Sequence, residues 1–218
     1  MAQLFPRKSN VLSRASIAAG LLAAGGVLGT VMMVDRAGFN QRKGTTLEQP
    51  VPFSHEHHVQ GLGIDCRYCH TSVERSAVAG IPPTATCMNC HKLVWNEAPM
   101  LEPVRSSFRT GQPLRWTRVH DVPDYVYFNH SIHVAKGVGC ATCHGPVHEM
   151  RLMRSANATQ MQWCLECHRN PERFLRPKEE VFNVTWKAGD QAALGKELVK
   201  RYQVRPAQLL TSCSTCHR

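Results

Sequence analysis

The sequence predicts a mostly α-helical chain with extensive coil. It also predicts an N-terminal helix suited to a membrane and a globular part whose core is not made from its own side chains. Three observations lead there. Residues 15–34 read ASIAAGLLAAGGVLGTVMMV, without a charge. All ten cysteines fall in five copies of one short motif. Between the motifs no run alternates as a half-buried strand does.

The first element is the N-terminal one. As a helix, residues 15–34 span about 30 Å, the thickness of a bilayer's hydrocarbon. Arg7, Lys8 and Arg14 precede them, which sets the N-terminus in the cytoplasm. A cleaved signal peptide is the rival reading. Its apolar region is shorter, about 7–15 residues, and a cut after a small-residue site at Ala23-Ala24-Gly25 would fall inside the run. An anchor is therefore expected, with residues 1–14 cytoplasmic, 15–34 spanning and 35–50 a linker. Ala15, Ala19 and Ala23, and Gly25 and Gly29, stand four apart, a spacing that lets helices approach closely in lipid.

The five motifs are Cys66-Arg-Tyr-Cys69-His70, Cys87-Met-Asn-Cys90-His91, Cys140-Ala-Thr-Cys143-His144, Cys164-Leu-Glu-Cys167-His168 and Cys213-Ser-Thr-Cys216-His217. Two cysteines three apart can form thioethers to the two vinyl groups of one porphyrin, and the next histidine can then ligate its iron. Zinc knuckles and redox pairs also use CxxC, but neither explains a histidine after every second cysteine. No cysteine remains for a disulfide. The cofactors predicted are five covalently bound haem c.

This cargo accounts for two bulk properties. The net charge of +10 would elsewhere suggest nucleic acid. Here five haems bring about ten negative propionate charges, so the bases are propionate partners or solvated surface and nucleic acid is excluded. Arg67, Lys92, Arg169 and Arg218 adjoin motifs. Beyond residue 40 the chain supplies about 36 residues per haem, too few to build an apolar core as well, so the haems must be the core.

A repeat organises the rest. Phe53-Ser54-His55-Glu56-His57-His58-Val59 leads to Cys66, and Phe128-Asn129-His130-Ser131-Ile132-His133-Val134 leads to Cys140. The Phe, the outer histidines and the Val recur at an offset of 75, and the two following motifs at 74 and 77. The expected organisation is a first two-haem unit at 51–95, a connector at 96–124, a second two-haem unit at 125–176 and a C-terminal segment, 177–218, with the fifth haem. Pro99, Pro103, Pro113 and Pro123 make the connector irregular, with a short helix near 101–108. Residues 190–202 carry Ala193, Leu194, Glu197, Leu198 and Tyr202 at helical spacing. The motifs themselves are expected on short helices.

Seven histidines remain after the proximal five: His55, His57, His58, His120, His130, His133 and His148. The repeat makes His55, His58, His130 and His133 the candidate distal ligands, each pair on one side of a helical turn. One of each pair serves its own unit's haem and the other a neighbouring haem. His57 has Ile132 as counterpart and is read as a non-ligand. His120 is preferred for the fifth iron, followed by His148. A thioether from Met150, Met153 or Met161 is the rival ligand there and would raise the potential.

The runs FSHEHHVQGLGIDCRYCHTSVERSAVAGIPPTATCMNCH, VYFNHSIHVAKGVGCATCHGPV and MQWCLECHRNPERFLRP, with the terminal TSCSTCHR, resemble the pentahaem cytochrome subunit of alternative complex III over nearly the whole chain. The two-haem units also resemble cytochromes of the c3/c7 type. The resemblance implies a single-pass subunit of a bacterial cytoplasmic membrane with its haem domain in the periplasm. Its implied partners are an iron–sulfur subunit, integral quinol-binding subunits, and a further cytochrome c or other soluble acceptor. The chain would pass electrons from quinol oxidation and hold no catalytic residue. A self-sufficient multihaem quinol dehydrogenase is one competing reading. A multihaem reductase is the other, and it would need an iron with an open position.

Overall fold

The structure is a computed structural model and describes residues 5–6, 8–38, 40 and 42–217. Arg7 and Arg218, both given roles by the sequence, lie outside the described residues. The chain divides into two compact units, Met1–Arg42 and Lys43–Arg218.

The first unit is one helix, α1 (Ser9–Arg36), of 28 residues, none of them buried. It is long and apolar enough to cross a membrane. It outruns the apolar stretch at both ends, taking in Ser9-Asn10 and Asp35-Arg36. Its last turn carries Arg36, the charge favoured at a helix C-terminus. Asn40 Nδ2 donates to the Val34 carbonyl at 2.7 Å, closing one of the carbonyls that a helix end leaves open. A Cβ added at Gly20, Gly25, Gly26 or Gly29 would meet nothing within 4 Å.

The second unit is built from short helices joined by coil. Among the described residues it has no sheet, only isolated bridges such as Thr46 with Arg154 and Val138 with Leu175. The five motifs lie on α2 (Cys66–Cys69), α3 (Thr84–His91), α6 (Cys140–His144), α7 (Met161–Arg169) and α10 (Cys213–Cys216). Asp65 caps α2 by accepting from the Arg67 N–H at 2.8 Å. In the connector, α4 (Glu102–Thr110) has Pro103 in its first turn and ends at Gly111, whose φ of 70° suits glycine. The helix expected near 190–202 is α8 (Gln191–Arg201), with Asp190 accepting from the Ala192 and Ala193 N–H groups. The remaining helices are α5 (His130–Ala135) and α9 (Ala207–Leu210).

None of these helices exceeds eleven residues, and helices this short are marginal in water without packing. The protein's own core gives little of that packing. One apolar cluster joins Val51, Leu101 and Val104, and a second joins Leu175, Leu198 and Tyr202. The second is where α8 presses on the turn at Pro171–Arg173. A Cβ at Gly195 would lie 1.8 Å from the Glu172 carbonyl oxygen.

Candidate haem-binding site

A histidine that ligates iron through Nε2 carries its proton on Nδ1, and a fixed acceptor there sets the ring. Four of the five motif histidines have one. His70 Nδ1 lies 2.7 Å from the Gly80 carbonyl, His91 Nδ1 3.0 Å from Val94, His168 Nδ1 2.9 Å from Leu210 and His217 Nδ1 3.1 Å from Tyr125. In each case Nε2 is left free. The acceptors for His168 and His217 come from 42 and 92 residues away. The fifth, His144, differs: its Nδ1 is buried without a partner.

The repeated histidines are built by the same device in both copies. Ser54 and Asn129, at matching positions, each hold the second histidine of the pair by a main-chain carbonyl. His58 Nδ1 lies 2.8 Å from the Ser54 oxygen, and His133 Nδ1 2.7 Å from the Asn129 oxygen. Their side chains also accept main-chain N–H groups, from His57 and Ile132 respectively. The preceding phenylalanine fixes both rings. Phe53 stacks on His58 at 4.4 Å and meets His55 edge-on at 4.9 Å. Phe128 stacks on His133 at 4.6 Å and meets His130 edge-on at 4.8 Å. The copies differ in winding. The first makes a π-helical turn, Glu56–Gly61, and the second is the α-helix α5. A single carbonyl, Ala77, takes both the main-chain N–H and Nδ1 of His130, at 3.1 and 2.8 Å.

These rings face the motif histidines at a recurring spacing. Ring centroids are 6.1 Å apart for His58 and His91, 6.2 Å for His133 and His168 and 6.3 Å for His130 and His144. The last two rings are within 6° of parallel. His55 lies near enough to His70 to feel its charge. Burial, then His70, pushes the His55 pKa down to about 4. Burial, then His120 and His130, pushes His144 down to about 3. Burial also lowers His58 and His133. Burial thus favours the neutral form of His55, His58, His133 and His144, the form that ligates a metal.

The remaining candidates fall as follows. His120 sits beside His144, with centroids 4.4 Å apart at 76°, and its Nε2 is buried without a partner. The aromatic ring beside His217 is that of Tyr125, at 5.8 Å. His148 Nδ1 is also buried and unpartnered. Met150 is fully buried, whereas Met161 is 65% exposed. His57 is exposed and stacks on Trp95.

The residues present fit haem c. Paired imidazoles stand apart as if around an intervening atom, and buried polar atoms lack a protein partner. One of these is Nε of Arg176, a buried cation whose guanidinium meets the carbonyls of Glu180 and Asn183 and the ring of Trp186 but no carboxylate. Such a group suits a haem propionate. Sequence reasoning found the histidines but missed Ser54, Asn129 and the role of the phenylalanines. Their shared offset of 75 was the available signal.

Comparison with known proteins agrees. Residues 126–218 match the family of cytochrome c7 and related cytochromes c. Over 144 residues the chain is 32% identical to the protein described as menaquinone reductase, multihaem cytochrome c subunit, of Nitratidesulfovibrio vulgaris. The aligned part covers 56% of this chain and 69% of that protein.

Proposed function

Because this chain belongs to the c7-type multihaem cytochromes c that include the menaquinone reductase subunit, we propose that it is the haem wire of a membrane-bound, quinone-reactive complex. In this reading α1 anchors it to the bacterial cytoplasmic membrane and the second unit carries five haems on the periplasmic side. The finer assignment is to an alternative complex III-like assembly. Its partners there are an iron–sulfur subunit, integral quinol-binding subunits and a soluble acceptor such as a further cytochrome c.

The observation that carries this reading is the facing of imidazoles. With an iron–nitrogen bond of about 2 Å and a ring centre about 1.1 Å behind each nitrogen, two imidazoles on opposite sides of one iron have centroids about 6.3 Å apart. The spacings of 6.1–6.3 Å support His58 opposite His91, His133 opposite His168 and His130 opposite His144. The repeat makes His55 the counterpart of His130, and so the candidate opposite His70 in a fourth pair.

Bound haem supplies one-electron chemistry. The chain's residues fix the ligand rings by carbonyl and phenylalanine contacts, exclude water from them and hold neighbouring motifs close. At the four irons paired in this way, two strong-field ligands would leave no position for a substrate, which argues against a reductase site at those haems.

The test is purification of the complex from membranes in mild detergent. The chain should co-purify with membrane and iron–sulfur partners, carry five haems per polypeptide by pyridine haemochrome, and be reduced by quinol only within the complex. Quinol oxidation by the isolated chain would overturn the wire reading in favour of a stand-alone dehydrogenase. The relative's name supports a second reading, in which electrons run toward the quinone. A complex whose pre-reduced haems reduce a menaquinone analogue, but which quinol cannot reduce, would establish that direction.

A further inference from the structure

We propose that Ser72 is a positioning residue for two irons at once: its hydroxyl closes the loop at 76–80, whose carbonyls set the imidazole of His70 on one haem and that of His130 on another. This rests on the reading of both histidines as iron ligands.

The loop is defined by its hydrogen bonds. Ser72 Oγ donates to the Val78 and Ala79 carbonyls, at 2.8 and 2.9 Å. A hydroxyl has one proton, so the two carbonyls share it. The Ser72 carbonyl takes the N–H groups of Arg75 and Ser76, at 3.0 and 2.8 Å. The Ser76 hydroxyl accepts from the Val78 N–H at 3.2 Å. One serine therefore ties the loop by side chain and main chain together. On either side of the two residues that its hydroxyl holds stand the carbonyls that meet histidines. Ala77 takes Nδ1–H and the main-chain N–H of His130, at 2.8 and 3.1 Å. Gly80 takes Nδ1–H of His70 at 2.7 Å. Gly80 has a φ of 83°, which suits glycine, and a Cβ there would lie 2.9 Å from Ser72 Oγ.

The two rings belong to different haems. His70 follows Cys66 and Cys69, whereas His130 faces His144, within 6° of parallel at 6.3 Å. The carbonyls of Ser54, Val94, Tyr125, Asn129 and Leu210 each hold one ring, and none of them shares a loop tied in this way. A carbonyl on Nδ1–H fixes the plane of a ligand ring and makes the ligand more basic. A more basic ligand favours the ferric state. Removing the Ser72 hydroxyl should therefore loosen both acceptors together and make both haems easier to reduce. A serine that only braced the fold would not single out these two irons.

The experiment uses the full-length haem-loaded chain in detergent. In Ser72→Ala, redox titration should show two haems of five shifted toward easier reduction. EPR should show two low-spin signals with changed g-values and no new high-spin signal. In Ser72→Thr the hydroxyl is kept, so both shifts should be largely absent. His130→Ala identifies one of the pair, because it removes the low-spin signal of the haem on Cys140 and Cys143. Ser72→Ala added to it should then shift a single remaining low-spin haem. Any number of shifted haems other than two in Ser72→Ala alone would overturn the proposal. A measurement on the unmutated chain covers the case of a variant that fails to assemble. In the fully reduced, diamagnetic protein labelled with 15N and 13C, couplings across hydrogen bonds should join His70 Nδ1 to the Gly80 carbonyl carbon and His130 Nδ1 to that of Ala77. The absence of either coupling would sink the proposal. Failure on these counts leaves the wire reading standing as long as His130→Ala still turns its haem high-spin. If His130→Ala leaves every haem low-spin, the ligand reading falls and the proposal falls with it.

Discussion

A single aromatic residue touches both repeated histidines in each copy of the repeat. Phe128 lies flat on His133 and edge-on to His130, so one side chain sets both ring planes. An aromatic contact of this kind contributes about 0.5–1.5 kcal/mol beyond area burial. Phe128→Leu should keep both irons low-spin while shifting the EPR g-values of two haems, since the freed imidazoles rotate about their iron bonds. The ligands themselves should separate cleanly. His130→Ala should turn the haem on Cys140 and Cys143 high-spin, and His133→Ala the haem on Cys164 and Cys167, as read by EPR. Loss of the same single low-spin signal in both variants would overturn the pairing.

Much of this was legible at the residue scale, because covalent chemistry and local spacing fix it. CxxCH states its own cofactor, and a repeated Phe-x-His-x-x-His offers two candidate ligands. What the sequence could not supply is the partner of each ring's second nitrogen. Gly80 holds His70 from ten residues away, but Leu210 and Tyr125 reach their histidines across 42 and 92 residues. A main-chain carbonyl carries no side-chain signature, so such a contact leaves no trace in the sequence. That His120 lies beside His144 was hidden for the same reason, since counting spare histidines says nothing of which ring each one meets.

At the scale of elements, the short helices hold their places by caps and close approaches. The helix α8 shows both. Asp190 accepts two N–H groups at its start, and Asp190→Ala should cost about 1 kcal/mol. Gly195 lies where α8 meets the Glu172 carbonyl. A methyl there forces the helix off the turn, as overpacking does elsewhere at about 1–3 kcal/mol. Thermal melts should rank Gly195→Ala as the less stable of the two variants, although alanine is the better helix former. The reverse order would mean that α8 is free to shift. The helix at 190–202 was visible in its periodicity, whereas the π-helical turn at Glu56–Gly61 was not. Its sequence carries the same histidine spacing as α5, so that spacing does not distinguish the two windings.

At the scale of the whole molecule, the second unit is a protein with two small apolar clusters and little else buried. Its side chains cannot meet the conformational entropy of ordering about 175 residues. The chain made without haem attachment, by replacing the motif cysteines with alanine, should be unfolded. Far-ultraviolet circular dichroism should lose the helical signal of the second unit and keep that of α1 in detergent. A cooperative melt in the haem-free chain would contradict a haem core.

The carbonyl of Ala77 has one more consequence. It lies in the first copy of the repeat and holds the first histidine of the second, by main chain and ring together. The neighbouring Ser76 carbonyl takes the Ser131 N–H as well. Two duplicated halves joined in this way are not interchangeable parts. Removing the first copy, or exchanging it for a segment with no carbonyl at this place, would leave His130 unheld, so the second copy depends on the first for its own ligand geometry.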